Sequence, residues 1–153
     1  MDEFAVQLNH LLVDTFRCIL KVEEQTLRGV GGMDLSISEL HLIESVGKGK
    51  DAGSTISGIA EDLDITLPSV TVAINKLAAK GFVEKVRGEA DSRTVYVKLT
   101  HAGRKADAAH RYFHENMVRS VVSEMDEAEK KTLLKGTRKL NEFFRRKLRP
   151  AEA

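Results

Sequence analysis

The pattern most informative about the fold lies in residues 66–104, "TLPSVTVAINKLAAKGFVEKVRGEADSRTVYVKLTHAGR". The stretch begins as a helix, because Thr66 is an N-cap residue and Gly81 is a natural C-cap. The hydrophobic period then changes from helical to two in "FVEKVR" (82–87) and "TVYVKL" (94–99). These two segments predict a β-hairpin whose loop is polar and basic.

Helices are predicted on both sides of this stretch. Apolar spacings of three, four and seven indicate a long amphipathic helix at the N-terminus, and a capping box of Ser36 and Glu39 starts the next helix. The predicted helices span residues 3–28, 36–47, 55–63, 67–80, 100–123 and 126–148. Helix, turn, helix and hairpin in this order predict a mainly α chain with a small two- to three-stranded β wing, a winged helix-turn-helix.

The composition limits the class of protein. A chain of 153 residues is long enough for one domain with a core. No apolar run approaches the roughly 20 residues of a membrane helix, so no membrane association is expected. The N-terminus is acidic and lacks a signal peptide, and the single cysteine, Cys18, excludes an internal disulfide. We therefore expect a cytoplasmic protein.

The near-neutral net charge of +1 hides an uneven distribution. Residues 1–75 have a net charge of −7, residues 76–105 of +5 and residues 106–153 of +3. A basic segment that coincides with the hairpin predicts a surface that faces a polyanion. A solvated lysine-rich face is the alternative that charge alone leaves open.

In a winged helix-turn-helix the second helix enters the major groove of DNA, where short polar side chains reach bases or phosphates. The hairpin can then lay an arginine along the adjacent backbone or in the minor groove. The candidate DNA contacts in these two elements are Thr66, Ser69, Thr71, Asn75, Lys76, Lys80 and Arg87.

Nothing in the sequence favours an enzyme. It has no glycine-rich phosphate loop, no nucleophile elbow and no His-Glu-x-x-His motif. A small zinc hydrolase would rest on the histidines alone. A protein-interaction module that had lost DNA binding would be expected to lack Arg93 and the basic balance of 76–105, and both are present.

The chain resembles the MarR family of bacterial transcription regulators over nearly its whole length. "DSR" (91–93) matches the family's Asp-x-Arg wing signature, and "LTHAGR" (99–104) matches its Leu-Thr-x-x-Gly opening of the helix after the wing. The resemblance implies a minor-groove contact for Arg93, held by a salt bridge from Asp91. The chain departs from the family at Val72, where many relatives have arginine, so the base specificity of those relatives cannot be transferred to it.

The same resemblance implies a homodimer that binds a palindromic operator, usually as a repressor. One MarR-like chain would then span residues 1–153. Residues 36–100 would form the winged-helix DNA-binding lobe, and residues 1–33 and 101–150 would supply the dimerisation helices.

Four segments resemble a narrower group, the FabT-type regulators of fatty-acid synthesis. They are "EEQTLRG" (23–29), "SISELHLIESVG" (36–47), "TVAINKLAAKGFVEKVR" (71–87) and "HRYFHENM" (110–117). The group implies an acyl ligand that is delivered on acyl carrier protein and strengthens operator binding.

The histidines support a second hypothesis. In zinc-responsive MarR repressors, a glutamate on the first helix, a histidine on the second and a His-x-x-x-His pair on the fifth bind the metal, and Glu24, His41, His110 and His114 lie at matching places. The alternative is a hydrogen-bonded polar cluster of these residues beside an acyl-binding slot. Cys18 is expected to be a buried apolar residue, with a peroxide-sensing thiol as its alternative.

Overall fold

The computed structural model describes residues 2–29, 34–88 and 93–148, with the backbone alone for residues 27–29. The six predicted helices and the predicted hairpin are confirmed, in the predicted order. The helices are α1 (Glu3–Gly29), α2 (Ile37–Lys48), α3 (Ile56–Leu63), α4 (Leu67–Ala79), α5 (His101–Ser123) and α6 (Glu127–Leu148), and the strands are β1 (Ser54–Thr55), β2 (Val83–Arg87) and β3 (Val95–Leu99). They belong to two compact units, residues 1–113 and 114–153.

Side-chain caps fix where the helices of the first unit begin. The hydroxyl of Ser36 accepts the Glu39 N–H at 3.2 Å while the Glu39 carboxylate accepts the Ser36 N–H at 2.9 Å, which confirms the capping box. The Thr55 and Thr66 hydroxyls cap α3 and α4 by accepting the Gly58 and Ser69 N–H groups, without a reciprocal bond. Because each cap satisfies a donor that the helix itself leaves unpaired, these short helices begin at defined residues.

Two left-handed residues separate the elements of the DNA-binding segment. Asp64 ends α3 with a φ of 54°, and Gly81 ends α4 with a φ of 80°. The Phe82 N–H then donates to the Leu77 carbonyl at 3.0 Å, so the chain reverses sharply and enters β2.

The wing is a three-stranded antiparallel sheet in the order β1–β3–β2. In the hairpin, Val83 is opposite Leu99 and Arg87 is opposite Val95. The third strand, β1, lies in a segment predicted to be a polar loop, which also contains a 3₁₀ turn at Lys50–Ala52. The wing therefore has three strands, the upper end of the predicted range of two to three.

The described core lies inside the first unit, between α2, α3, α4 and the inner face of the sheet. Its side chains are aliphatic, and the largest of the completely buried ones are Leu40, Ile43, Val46, Ile59, Val70, Ile74, Leu77 and Val97. Outside this core, Lys48 on α2 donates to Asp62 on α3 at 2.7 and 2.8 Å. The hydrogen bond from Lys48 lowers the pKa of the Asp62 carboxyl. The core holds α4 against the rest of the unit, and the ion pair joins α2 to α3.

The Leu-Thr-x-x-Gly segment has a structural explanation. The Thr100 hydroxyl accepts the Gly103 N–H at 3.1 Å and donates to the Gly81 carbonyl at 2.7 Å. A Cβ atom at Gly103 would lie 2.0 Å from the Phe82 carbonyl oxygen. Glycine is therefore required for α5 to approach the end of the α4–β2 turn.

The long terminal helices expose large apolar side chains. On α1 they include Phe4, Leu11 and Phe16, and Cys18 is also exposed, so the expectation of a buried cysteine is wrong for the single chain. The reason is that other described elements leave this part of α1 uncovered. No helix among the described residues is long and apolar enough to cross a membrane.

The second unit begins inside α5 and continues into α6. Asp126 caps α6 by accepting the Ala128 and Glu129 N–H groups, each at 2.8 Å. The helix exposes Leu134, Phe144 and Leu148.

Candidate nucleic-acid interface and histidine cluster

The outward face of α4 is the central feature of the candidate DNA-binding site. Val70, Ile74 and Leu77 anchor the helix on its buried side. At about 100° per residue, Val72 lies about 160° around the helix from Val70 and Ile74. Val72 is 69% exposed, so the middle of the outward face is a valine.

Predicted polar contacts surround Val72, and several already have partners within the protein. The Thr66 and Ser69 hydroxyls lie 2.8 Å apart, and the Thr71 hydroxyl donates to the Leu67 carbonyl at 3.0 Å. The Asn75 side-chain oxygen accepts a hydrogen bond from Lys85 of the wing. These partners fix the directions of the side chains and occupy part of their hydrogen-bonding capacity.

Lys76 and Lys80 differ in environment. The Lys76 ammonium is exposed and lies 3.4 Å from the Glu39 carboxylate. The Lys80 ammonium donates to Glu39 at 3.0 Å and to the Asp34 carbonyl at 2.6 Å. Lys80 therefore joins the end of α4 to the start of α2, which makes it a positioning residue rather than an outward-facing cation.

Glu39 is the buried anion of this arrangement, with 6% of its surface exposed. Burial raises the pKa of its carboxyl, but the hydrogen bonds from the Ser36 N–H and from Lys80 and Lys76 outweigh burial and leave the pKa below its ordinary value. The pKa of Lys80 is correspondingly raised, chiefly by its hydrogen bond to Glu39. Glu39 was predicted only as a helix cap, because its lysine partners are far away in sequence.

The wing presents the remaining predicted residues. Arg87 is exposed at the end of β2, and the Gly88 N–H donates to the Thr94 carbonyl at 2.8 Å, which closes the base of the loop. Arg93 is exposed just before β3. Asp91 lies outside the described residues, so its predicted salt bridge with Arg93 stays a prediction.

A cluster of ionisable side chains joins α1, α2 and α5 within the first unit. His110, which is 4% exposed, lies with its Nε2 atom 2.7 Å from the Glu23 carboxylate and its Nδ1 atom 3.4 Å from the Glu44 carboxylate. The His41 Nε2 atom lies 3.8 Å from the same Glu23 oxygen. The buried imidazole therefore lies between two carboxylates, one buried and one half-exposed.

The cluster contains a different glutamate from the predicted one. One ligand atom each from Glu23, His41 and His110 lie within 4.8 Å of one another, whereas Glu24 is exposed. Adjacent residues point about 100° apart on a helix, and the sequence alone did not determine which glutamate faced α5. His114 lies one turn beyond His110 on α5, in the second unit. The first-unit cluster therefore comprises Glu23, His41, Glu44 and His110.

An exposed recognition helix held beside a basic hairpin defines the class of protein: a winged helix-turn-helix of the kind that contacts DNA. Comparisons with known proteins agree with this class. A family model described as "Transcriptional regulator SarA/Rot" matches residues 32–109, just over half of the chain. The chain therefore belongs to this family of winged helix-turn-helix regulators, which is of the MarR type.

Solved structures show the same relationship over most of the chain. The crystal structure of Streptococcus pneumoniae FabT in complex with DNA is 37% identical to this chain, with a TM-score of 0.86, and the match covers 92% of this chain and 97% of that one. The S. aureus MepR–DNA complex shares the fold at 21% identity with a TM-score of 0.67, covering 85% and 94% of the two chains.

A curated relative, the uncharacterized helix-turn-helix transcriptional regulator YhjH of Bacillus subtilis, is 28% identical over 92 residues. The match covers 60% of this chain, and the chain spans about half, 51%, of the length of YhjH. Families of this kind are usually non-enzymatic.

Proposed function

We propose that the protein binds a palindromic operator as a homodimer and represses transcription from it, in the cytoplasm. The observation that carries the proposal is the exposed face of α4 beside the exposed wing residues Arg87 and Arg93. The likeness to FabT, whose solved structure is a complex with DNA, supports the same function. Within the proposal, Thr66, Ser69, Thr71, Asn75 and Lys76 approach the major groove, and Arg93 approaches the minor groove.

The test compares Arg93→Ala with Arg119→Ala, an exposed arginine on α5 outside the proposed interface. A close minor-groove contact by Arg93 predicts that its removal weakens operator binding by about 1–3 kcal/mol. Fluorescence anisotropy with an operator selected from a random library gives the affinities. Arg119→Ala should bind like the wild type, and equal affinity of Arg93→Ala would reject the wing assignment.

The homodimer is proposed from the apolar surface of the terminal helices. Large exposed side chains such as Phe4, Leu11 and Phe16 of α1 are more than a soluble monomer ordinarily leaves uncovered. A second copy would cover them. Sedimentation equilibrium should show a dimer for the wild type and for Lys21→Asp, a change at an exposed polar position, and a monomer for Phe16→Asp. A monomeric wild type would contradict the proposal.

We further propose that the operator genes serve fatty-acid synthesis and that the effector is an acyl chain presented by acyl carrier protein. This extension rests on the FabT-type resemblance. A cavity of about 430 Å³ at the base of the wing is lined by charged side chains, among them Lys98, Arg104 and Asp107, and so does not suit an alkyl chain.

The effector is tested by adding hexadecanoyl acyl carrier protein or unacylated holo acyl carrier protein to the protein–operator complex. Tighter operator binding with the acylated form alone would support the proposal. The same affinity with both forms would reject the effector while leaving DNA binding intact.

The histidine cluster supports a second candidate, a zinc-responsive repressor. Two imidazoles and one carboxylate are ligands that zinc accepts, with water in a fourth position, so the residues present fit the metal. The ligand set becomes Glu23, His41 and His110, with Glu24 and His114 kept as predictions. Zinc would have to replace the 2.7 Å contact between Glu23 and His110.

Metal analysis of the purified protein and operator binding with and without a chelator distinguish the two candidates. Stoichiometric zinc, lost in His41→Ala, together with chelator-sensitive binding would favour the metal. If the purified protein contains no metal and its operator affinity is unchanged by zinc or a chelator, the cluster is a structural polar contact.

A further inference from the structure

We infer that Val72 reads the C5-methyl group of thymine in each operator half-site. The inference rests on the proposed DNA-binding function and specifies part of its sequence readout. The thymine methyl is the one apolar group that a base pair displays in the major groove, and an aliphatic side chain is its natural partner.

The position of Val72 carries the inference. The outward line of α4 runs through Pro68, Val72, Lys76 and Ala79, since these residues lie within about 40° of Val72 around the helix. Only Lys76 among the four has a hydrogen-bonding side chain. A recognition helix with this central line can distinguish base pairs there chiefly by shape and apolar contact.

The partners of the flanking polar side chains strengthen the argument. The Thr71 hydroxyl proton is donated to the Leu67 carbonyl and the Asn75 oxygen accepts from Lys85, so part of the hydrogen-bonding capacity of both side chains is already used within the protein. Val72, in contrast, is 69% exposed and belongs to no core cluster. An exposed valine at this place has no function in packing the lobe, whereas contact with a thymine methyl would remove both apolar groups from water.

Replacing thymine by deoxyuridine removes only the C5-methyl group and retains base pairing. The operator is first selected from a random duplex library with the full-length protein. Each symmetric pair of half-site thymines is then replaced by deoxyuridine, and dissociation constants are measured at one salt concentration for the wild type and for Val72→Ala. Because Val72 is exposed, its substitution should leave the thermal unfolding temperature almost unchanged, which a melting curve checks.

Replacing the symmetric pair of thymines that contacts Val72 should weaken wild-type binding by about fifteenfold, because one methyl contact is lost in each half-site. The same replacement should change Val72→Ala binding by less than twofold. Val72→Thr, which keeps one methyl group, should show an intermediate loss.

The inference would be overturned if no deoxyuridine replacement changed the dissociation constant of the wild type. It would also be overturned if the wild type and Val72→Ala lost affinity equally. So would a selected half-site without thymine opposite α4. A selection that enriches no sequence at all would instead reject the proposed function.

Discussion

Substituting Glu39 by glutamine should weaken the attachment of the recognition helix. One Glu39 oxygen accepts the Ser36 N–H at 2.9 Å and the Lys80 ammonium at 3.0 Å, and the other lies 3.4 Å from Lys76. Glutamine keeps the shape and one acceptor oxygen but removes the charge. The two lysines of α4 would then face a neutral amide.

The expected magnitude follows from these contacts. Hydrogen bonds to a charged group contribute about 1.5–3 kcal/mol and are about twice as strong as neutral ones. Relief of the cost of burying the carboxylate offsets part of the loss. We therefore expect Glu39→Gln to lower the free energy of unfolding by about 1–2 kcal/mol and the unfolding temperature by about 2–8 °C.

The pH dependence gives this prediction its sharpest test. Because the pKa of Glu39 is lowered in the folded state, its stabilisation is present above the ordinary value of 4.5 and disappears as the pH falls through the folded pKa. Urea titrations of the wild type, Glu39→Gln and the exposed control Glu61→Gln at pH 7 and pH 3 measure it. The deficit of Glu39→Gln should be present at pH 7 and smaller at pH 3, which is closer to the lowered pKa. A deficit of the same size at both pH values, or one that Glu61→Gln shares, would show that the charge on Glu39 does not stabilise the fold.

Three further predictions concern other parts of the chain. Gly103→Ala should lower the free energy of unfolding by about 1–3 kcal/mol, because the added Cβ meets the Phe82 carbonyl. Gly136→Ala has open space around the added Cβ and should raise the free energy of unfolding by about 1 kcal/mol. Urea titration measures both, and an unchanged stability of Gly103→Ala would contradict the first prediction. Burial raises the pKa of Asp107, so the free energy of unfolding falls as the pH rises through that raised pKa. Asp107→Asn should therefore be more stable than the wild type at pH 7 but not at pH 3. Equal melting temperatures of the two proteins at pH 7 would contradict this prediction. Arg87→Met should reduce the salt dependence of operator binding by about one counterion, because Arg87 is exposed at the wing end of the proposed interface; an unchanged slope would exclude a phosphate contact there.

The elements with local signals were predictable from the sequence. The Ser36–Glu39 capping box, the Thr66 cap and the glycine at 81 each act within a few residues, so the boundaries of α2 and α4 followed from short motifs. The alternation in 94–99 identified β3 for the same reason.

The features that sequence reasoning missed depend on distant contacts. Strand β1 is two residues long and exists only through pairing with Val97 and Tyr96. Glu23 rather than Glu24 meets His110 because tertiary packing sets the rotation of α1. Lys80 is engaged internally because Glu39, 41 residues away, lies beneath it.

The central claim is that α4 and the wing recognise a specific DNA sequence. Its most direct test compares the affinity of the wild type for the selected inverted repeat with that for a scrambled duplex of the same composition, over a series of salt concentrations. Binding to the repeat should be at least about 10³-fold tighter than to the scrambled duplex, with a steep linear decrease in log affinity against log salt. Equal affinity for the two duplexes at every salt concentration would contradict it.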